Sequence, residues 1–300
     1  MNTYLAVFAC VQLCLVVLGT TSVSSAGTVE SAAFTNRNTQ LSGAIHFPAQ
    51  SSKAGVVLIH GSSKNDSLRM TALAKLLAER GFAVITYDKR GVGQSEGEFQ
   101  FSDDERAFSL LAEDVQTAFE KLSKHPGLKD LPVGLLGISQ GGWVGPIAAS
   151  HLPTAAFMVL WSGPLCTVSE EVHFSAMAKR IPNFSSYDHL AKIQEHMESA
   201  PARAGDFDPR PILSQLSLPV LWIFGGRDDS IPVELSVARL QEMIEQGHQN
   251  FEYKLFPEQG HGLDYPTSYP NGYEYMVSWI EKVAQQTAAR DRAKSTAREQ

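Results

Sequence analysis

Three hundred residues are enough for one large α/β domain with a substantial buried core, and 43% hydrophobic with 19% charged residues is a globular composition. That excludes a disordered chain and a many-span membrane protein. The formal net charge is -7 with no long basic stretch, so nucleic acid is disfavoured as a partner, because binding phosphates needs a cationic footprint.

No charged side chain precedes Glu30. Leu5 to Leu18 is almost wholly apolar, and small polar residues follow from Thr20 to Ser25. An apolar core of roughly 7–15 residues ahead of small residues is the pattern of a secretory signal. A spanning helix needs about 20 apolar residues. Residues 1–26 are therefore expected to be an export signal cleaved after Ser24-Ser25-Ala26, leaving a secreted or periplasmic protein without stable membrane association. The competing reading is an uncleaved anchor, since the segment carries no Lys or Arg. Cys10 and Cys14 fall inside the signal, so Cys166 remains alone and no intramolecular disulfide can form. Cys166 is expected to be a small buried apolar residue rather than a nucleophile.

Glu30 to Phe34 and Leu41 to Phe47 flank the turn-forming Asn36-Arg37-Asn38 and predict an antiparallel hairpin at a sheet edge. Short unbroken apolar runs follow at Val56–Ile59, Ala83–Tyr87, Val133–Leu136, Ala156–Trp161 and Val220–Phe224. Strands covered by helices on both faces have this composition, because neither face meets water. Between them, Met70–Arg80 ends at the helix stop Gly81, and Leu111, Val115, Ala118, Phe119 and Leu122 repeat at helical spacing. Alternating strands and helices specify a three-layer α/β domain with a mostly parallel central sheet.

The interval from Gly163 to Leu218 is too long for a simple crossover. Tyr187, Leu190, Ile193 and Met197 mark one helical face in it, and Val168, Val172 and Ala176 a weaker one. The segment 164–217 is expected to be a helical cap, with 27–163 and 218–284 forming the core and 285–300 a flexible tail.

Gly137-Ile138-Ser139-Gln140-Gly141 follows the buried run ending at Leu136 and opens the helix-like stretch Gly142–Ala149. A strand-to-helix turn this sharp lifts the Ser139 hydroxyl above the sheet, which makes it the candidate nucleophile. A serine hydroxyl needs an adjacent base. In this chain order the acid and then the histidine follow the serine. Asp228 lies in Gly225-Gly226-Arg227-Asp228 after a buried strand, with Asp229 as its rival, and His261 lies in Gly260-His261-Gly262. The negative oxygen of a tetrahedral intermediate needs fixed donors. The backbone N–H of Gln140 is one candidate, and that of Ser62 in His60-Gly61-Ser62-Ser63 is the other, with Ser63 or Gly61 as alternatives.

The ordered set HGSS (60–63), YDKRGVGQSEG (87–97), GISQGG (137–142), GGRDDSIP (225–232) and GHG (260–262) resembles the α/β-hydrolase superfamily. Within it the set is most similar to bacterial capped esterases and serine aminopeptidase-like hydrolases. The resemblance runs from Ala54 to Val283. It implies hydrolysis of a small-molecule acyl ester, or less often a peptide or acyl-peptide amide, without a cofactor, and it implies that Asp88, Arg90 and Ser95 hold their loop together. Gly91-Val92-Gly93 is followed by Glu96 where a dinucleotide loop needs glycine. No HExxH run, P-loop or paired-cysteine zinc spacing occurs, so no metal site is expected.

Overall fold

The apolar runs become strands because β-branched and aromatic side chains pack on both faces of one pleated layer. The computed structural model describes residues 27–64, 67–99, 104–200, 206–262 and 270–299. The expected export signal at 1–26 lies outside the described residues. Among those described, no helix is long and apolar enough to cross a membrane.

The elements in chain order are β1 (Val29–Asn36), β2 (Thr39–His46), β3 (Ala54–Ile59), α1 (Ser67–Glu79), β4 (Phe82–Tyr87), α2 (Glu105–Ser123), β5 (Val133–Ile138), α3 (Gly141–Ser150), β6 (Met158–Trp161), α4 (Val168–Ala178), α5 (Leu190–Glu198), α6 (Arg210–Leu213), β7 (Val220–Gly225), α7 (Val233–Glu245), β8 (Phe251–Phe256) and α8 (Pro270–Glu299). One sheet has the order β1-β2-β4-β3-β5-β6-β7-β8. The hairpin β1–β2 is antiparallel and joins β4 in antiparallel pairing, while all pairs from β4 to β8 are parallel.

Successive side chains of each strand enter different cores. Val57, Ile59, Ile85, Leu135, Leu160 and Trp222 pack under α2, α3 and α7. Val56, Leu58, Val84, Leu136, Val159 and Ile223 pack under α1 and α8. The strands β3 to β7 are thus dry on both faces, which is why period-two alternation is missing from their runs.

The segment 164–217 leaves β6 at the sheet's C-terminal edge and contains α4, α5 and α6. Phe174, Met177, Ala178, Phe184 and Ile193 form a small core of their own there. The expected α4 face is corrected in part: Val172 and Ala176 are exposed, and the larger Phe174 and Met177 turn inward instead. Thr167 and Glu170 cap α4 reciprocally, and Glu170 also takes two bonds from Arg239 of α7, at 2.6 and 2.7 Å. The stretch from 285 onward, expected to be a flexible tail, continues α8 to Glu299. Its apolar face stops at Ala284, and most later described side chains are exposed.

The hairpin is tied to the layers by a buried charge. Asp114 of α2 is 1% exposed and accepts from Asn36 Nδ2 at 2.7 Å and from Arg90 Nε and Nη2 at 2.9 and 2.5 Å. Burial pushes its carboxyl up, and the bonds from Arg90 and Asn36 offset this only in part. In the same loop Ser95 Oγ–H donates to the Asp88 carbonyl at 2.7 Å, and the Gln94 N–H donates to Asp88 Oδ2 at 3.0 Å. Asp114→Ala leaves the partly buried Arg90 guanidinium and the Asn36 amide without their acceptor and is expected to lower unfolding free energy by about 3 kcal/mol. Urea denaturation of the purified variant measures it, and a loss under about 1 kcal/mol contradicts this role.

Candidate active site

Because β3 to β8 run in one direction, the loops that leave them share one edge. Ser139 follows β5 with φ of +53°, in the left-handed region that a side chain enters at a cost of about 1–3 kcal/mol. Two backbone bonds hold it: its N–H donates to the Trp161 carbonyl at 3.0 Å, and Gly142 N–H donates to its carbonyl at 2.7 Å. The turn is tight enough that a Cβ on Gly137 would stand 2.7 Å from the Gly141 carbonyl oxygen. Gln140 is the N-cap of α3, where backbone N–H groups lack acceptors within the helix.

His261 Nε2 lies 3.0 Å from Ser139 Oγ. Its Nδ1–H donates to the Asp228 carboxylate, with Nδ1 2.9 and 3.0 Å from the two oxygens. A carboxylate only accepts, so Asp228 holds the tautomer in which Nε2 carries no proton and can accept from the Ser139 hydroxyl. Asp228 is fully buried, and the N–H groups of Ser230 and Ile231 donate to its Oδ1 at 2.8 and 3.0 Å. Asp229, the rival acid, accepts from Ser230 Oγ–H at 3.2 Å. Burial depresses the His261 imidazole, but the charge and hydrogen bond of Asp228 outweigh it and the net direction is upward.

Two residues at this site escaped sequence reasoning. Ser162, itself at φ +48°, accepts the Gly262 N–H on its Oγ at 3.1 Å and so fixes the turn carrying His261. Trp161 presses on that turn: a Cβ on Gly262 would stand 2.0 Å from Trp161 Nε1, so only glycine fits beside the histidine. The available signal was Ser162-Gly163 directly after a buried strand that ends in Trp161.

The loop after β3 is tied to β4. His60 is buried and its Nε2–H donates to the Tyr87 carbonyl at 2.5 Å. Burial, then the Lys89 charge, lower the His60 pKa to about 3, so the ring stays neutral. Ser62 and Gln140 both line a cavity of about 190 Å³ whose apolar wall includes Phe99, Leu110 and Leu111. A larger concavity of about 660 Å³ borders Thr154–Ala156 and Gln215–Pro219, the opposite edge of the sheet, and is remote from Ser139. Cys166 is fully buried and burial pushes its thiol well up, as befits a packing residue. His173 and His196 stack at 4.0 Å between α4 and α5.

A family model described as serine aminopeptidase, S33 matches residues 50–196, just under half of the chain. An esterase of Pyrococcus furiosus superposes over 87% of this chain and 90% of its own with a TM-score of 0.63 at 18% identity. The fold is the α/β-hydrolase fold, and the matching model and relatives support a serine hydrolase of that superfamily. Among curated proteins, the hydrolase is 26% identical to an uncharacterized peptidase of Bacillus subtilis, over 66% of this chain and 72% of that protein. It is 34% identical to human monoglyceride lipase over 45% of this chain, spanning 44% of the lipase.

The buried neutral His60 gives the hydrolase an acid sensitivity with a definite sign. In the unfolded chain the imidazole protonates below about pH 6.5, whereas in the folded protein it resists down to about 3. Stability from this group is therefore intact above pH 6.5 and declines as pH falls from 6.5 towards 3, with a slope of up to about 1.4 kcal/mol per pH unit. His60→Gln, which keeps a donor for the Tyr87 carbonyl, is expected to flatten that slope in urea unfolding measured at stepped pH. Parallel profiles for the two proteins contradict the assignment.

Proposed function

We propose that this hydrolase cleaves carboxylic esters of short acyl groups through an acyl-enzyme on Ser139. The observation that carries the reading is the continuous hydrogen-bond series Ser139 Oγ–His261 Nε2 at 3.0 Å and His261 Nδ1–Asp228 at 2.9 Å. As His261 Nε2 takes its proton, Ser139 Oγ attacks the ester carbonyl carbon. The backbone N–H groups of Gln140 and Ser62 receive the developing oxyanion. Collapse of the tetrahedral intermediate breaks the bond to the alcohol oxygen, which leaves with the proton from His261. Water, activated by the same histidine, then releases the carboxylic acid and regenerates Ser139. Asp228 stays ionised and stabilises the imidazolium.

Acyl length follows from space. The cavity beside Ser62 and Gln140 is about 190 Å³, and an apolar cavity of about 150 Å³ holds benzene. An acyl chain of about eight carbons or fewer, or an aryl acyl group, fits within it. A second reading, hydrolysis of peptide or acyl-peptide amides, draws support from the description of the matching family model and from the Bacillus relative.

With p-nitrophenyl esters of graded length, kcat/KM is expected to peak at or below about eight acyl carbons, and aminoacyl anilides to turn over far more slowly. Preference for anilides favours the second reading. Ser139→Ala is expected to lower kcat at least about 10⁴-fold, and Asp228→Asn by about 10³–10⁴-fold. Unchanged hydrolysis by Ser139→Ala sinks both readings. Because the base must be neutral and its pKa is raised, kcat/KM is expected to fall on the acid side with a midpoint above 6.5.

A further inference from the structure

Lys89 follows β4 and is 6% exposed, although an ammonium is costly to take out of water unless it is paired. Its Nζ–H groups donate to the Gly61 carbonyl and, at 3.1 Å, to the Ser63 carbonyl. The Phe99 ring covers it, with the centroid 5.7 Å from Nζ. Both carbonyls belong to the loop that carries Ser62, and Lys89, Ser62, Phe99 and Gln140 line the same cavity.

The carbonyl of Gly61 and the N–H of Ser62 are the two ends of one planar trans peptide, so they point in opposite directions. A cation fixed on the oxygen therefore aims the N–H away from itself. It also polarises the peptide, because donors and acceptors in series strengthen one another where water is excluded. We propose that Lys89 is the positioning residue of the oxyanion site: it orients and polarises the peptide between Gly61 and Ser62 through the Gly61 carbonyl, making the Ser62 N–H, rather than that of Gly61 or Ser63, the second donor to the oxyanion. The inference rests on the Ser139 acyl-enzyme reading and adds to it a charge that acts on the transition state through the peptide between Gly61 and Ser62.

The test uses the full chain with Lys89→Met and Lys89→Gln, after Ser139→Ala has been shown inactive. Active sites are counted with a fluorophosphonate, so kcat is taken per labelled serine. In Lys89→Met, kcat is expected to fall between about tenfold and 10²-fold with KM within about twofold, since one oxyanion donor is commonly worth about 10²–10³. The inhibition constant of a short-chain trifluoromethyl ketone, whose hemiketal carries the same oxyanion, is expected to rise by a similar factor. Lys89→Gln, a neutral donor, falls between the two proteins and supplies the same reading should the methionine variant not fold. A lysine that only supports the fold lowers the melting temperature and the labelled fraction but leaves kcat per site and ketone affinity within twofold of wild type, and that result overturns the proposal. Retained activity in Ser139→Ala overturns the acyl-enzyme reading instead, so the two failures are distinct.

Discussion

A side chain with φ of +53° pulls away from its favoured backbone unless its surroundings hold it, and at Ser139 the holding is done by the parallel register of β5 and β6. Ile138 pairs with Trp161 across that register, which places the Trp161 carbonyl to accept the Ser139 N–H. The same strand end then steers the histidine, because Trp161 packs on the Gly262 turn and Ser162 accepts its N–H. It thus carries two of the loops on which the chemistry depends. Strain at Ser139 is sustained by a sheet with large buried side chains on both faces, Trp161 and Trp222 among them.

Buried charge does the finer placement. Asp228 is fully buried and satisfied by two backbone N–H groups as well as by His261. Lys89 grips the carbonyls beside Ser62, and Arg90, the next residue, reaches Asp114 on α2. Each is an ion whose removal from water is offset only in one geometry, so each fixes a loop more sharply than apolar packing does. The loop after β4 therefore acts on both sides, holding the Gly61–Ser63 loop by Lys89 and the edge hairpin, through Asp114 and Asn36, by Arg90.

The segment 164–217 is attached by similar means. Glu170 is held below its ordinary range: burial pushes it up, but Arg239 and the α4 cap prevail. The Ser186 N–H donates to the Gly226 carbonyl at 2.9 Å, so the inserted segment touches the loop that carries Asp228. Beside its own small core, the segment sends Val168, Phe207, Leu213 and Leu216 into the main core under α2, α3 and α7, so apolar packing joins these polar ties in holding it.

The sequence by itself determined the layers and the chemistry of the groups. Unbroken apolar runs imply strands dry on both faces, and GISQG between a run and a helix implies an exposed serine, because both follow from local patterning. The α4 face was misread because four-residue spacing cannot tell which of two weak stripes meets a partner, and Phe174 buries more than Val172. The helical continuation of α8 past Ala284 was likewise hidden, since an Ala-rich charged stretch needs no core to stay helical. Only the tertiary structure shows which of the adjacent carboxylates, Asp228 or Asp229, meets His261: it is Asp228. It alone brought Ser162 to Gly262 and Lys89 to Gly61, because contacts between loops far apart in the chain depend on strand order, and no local periodicity encodes that order.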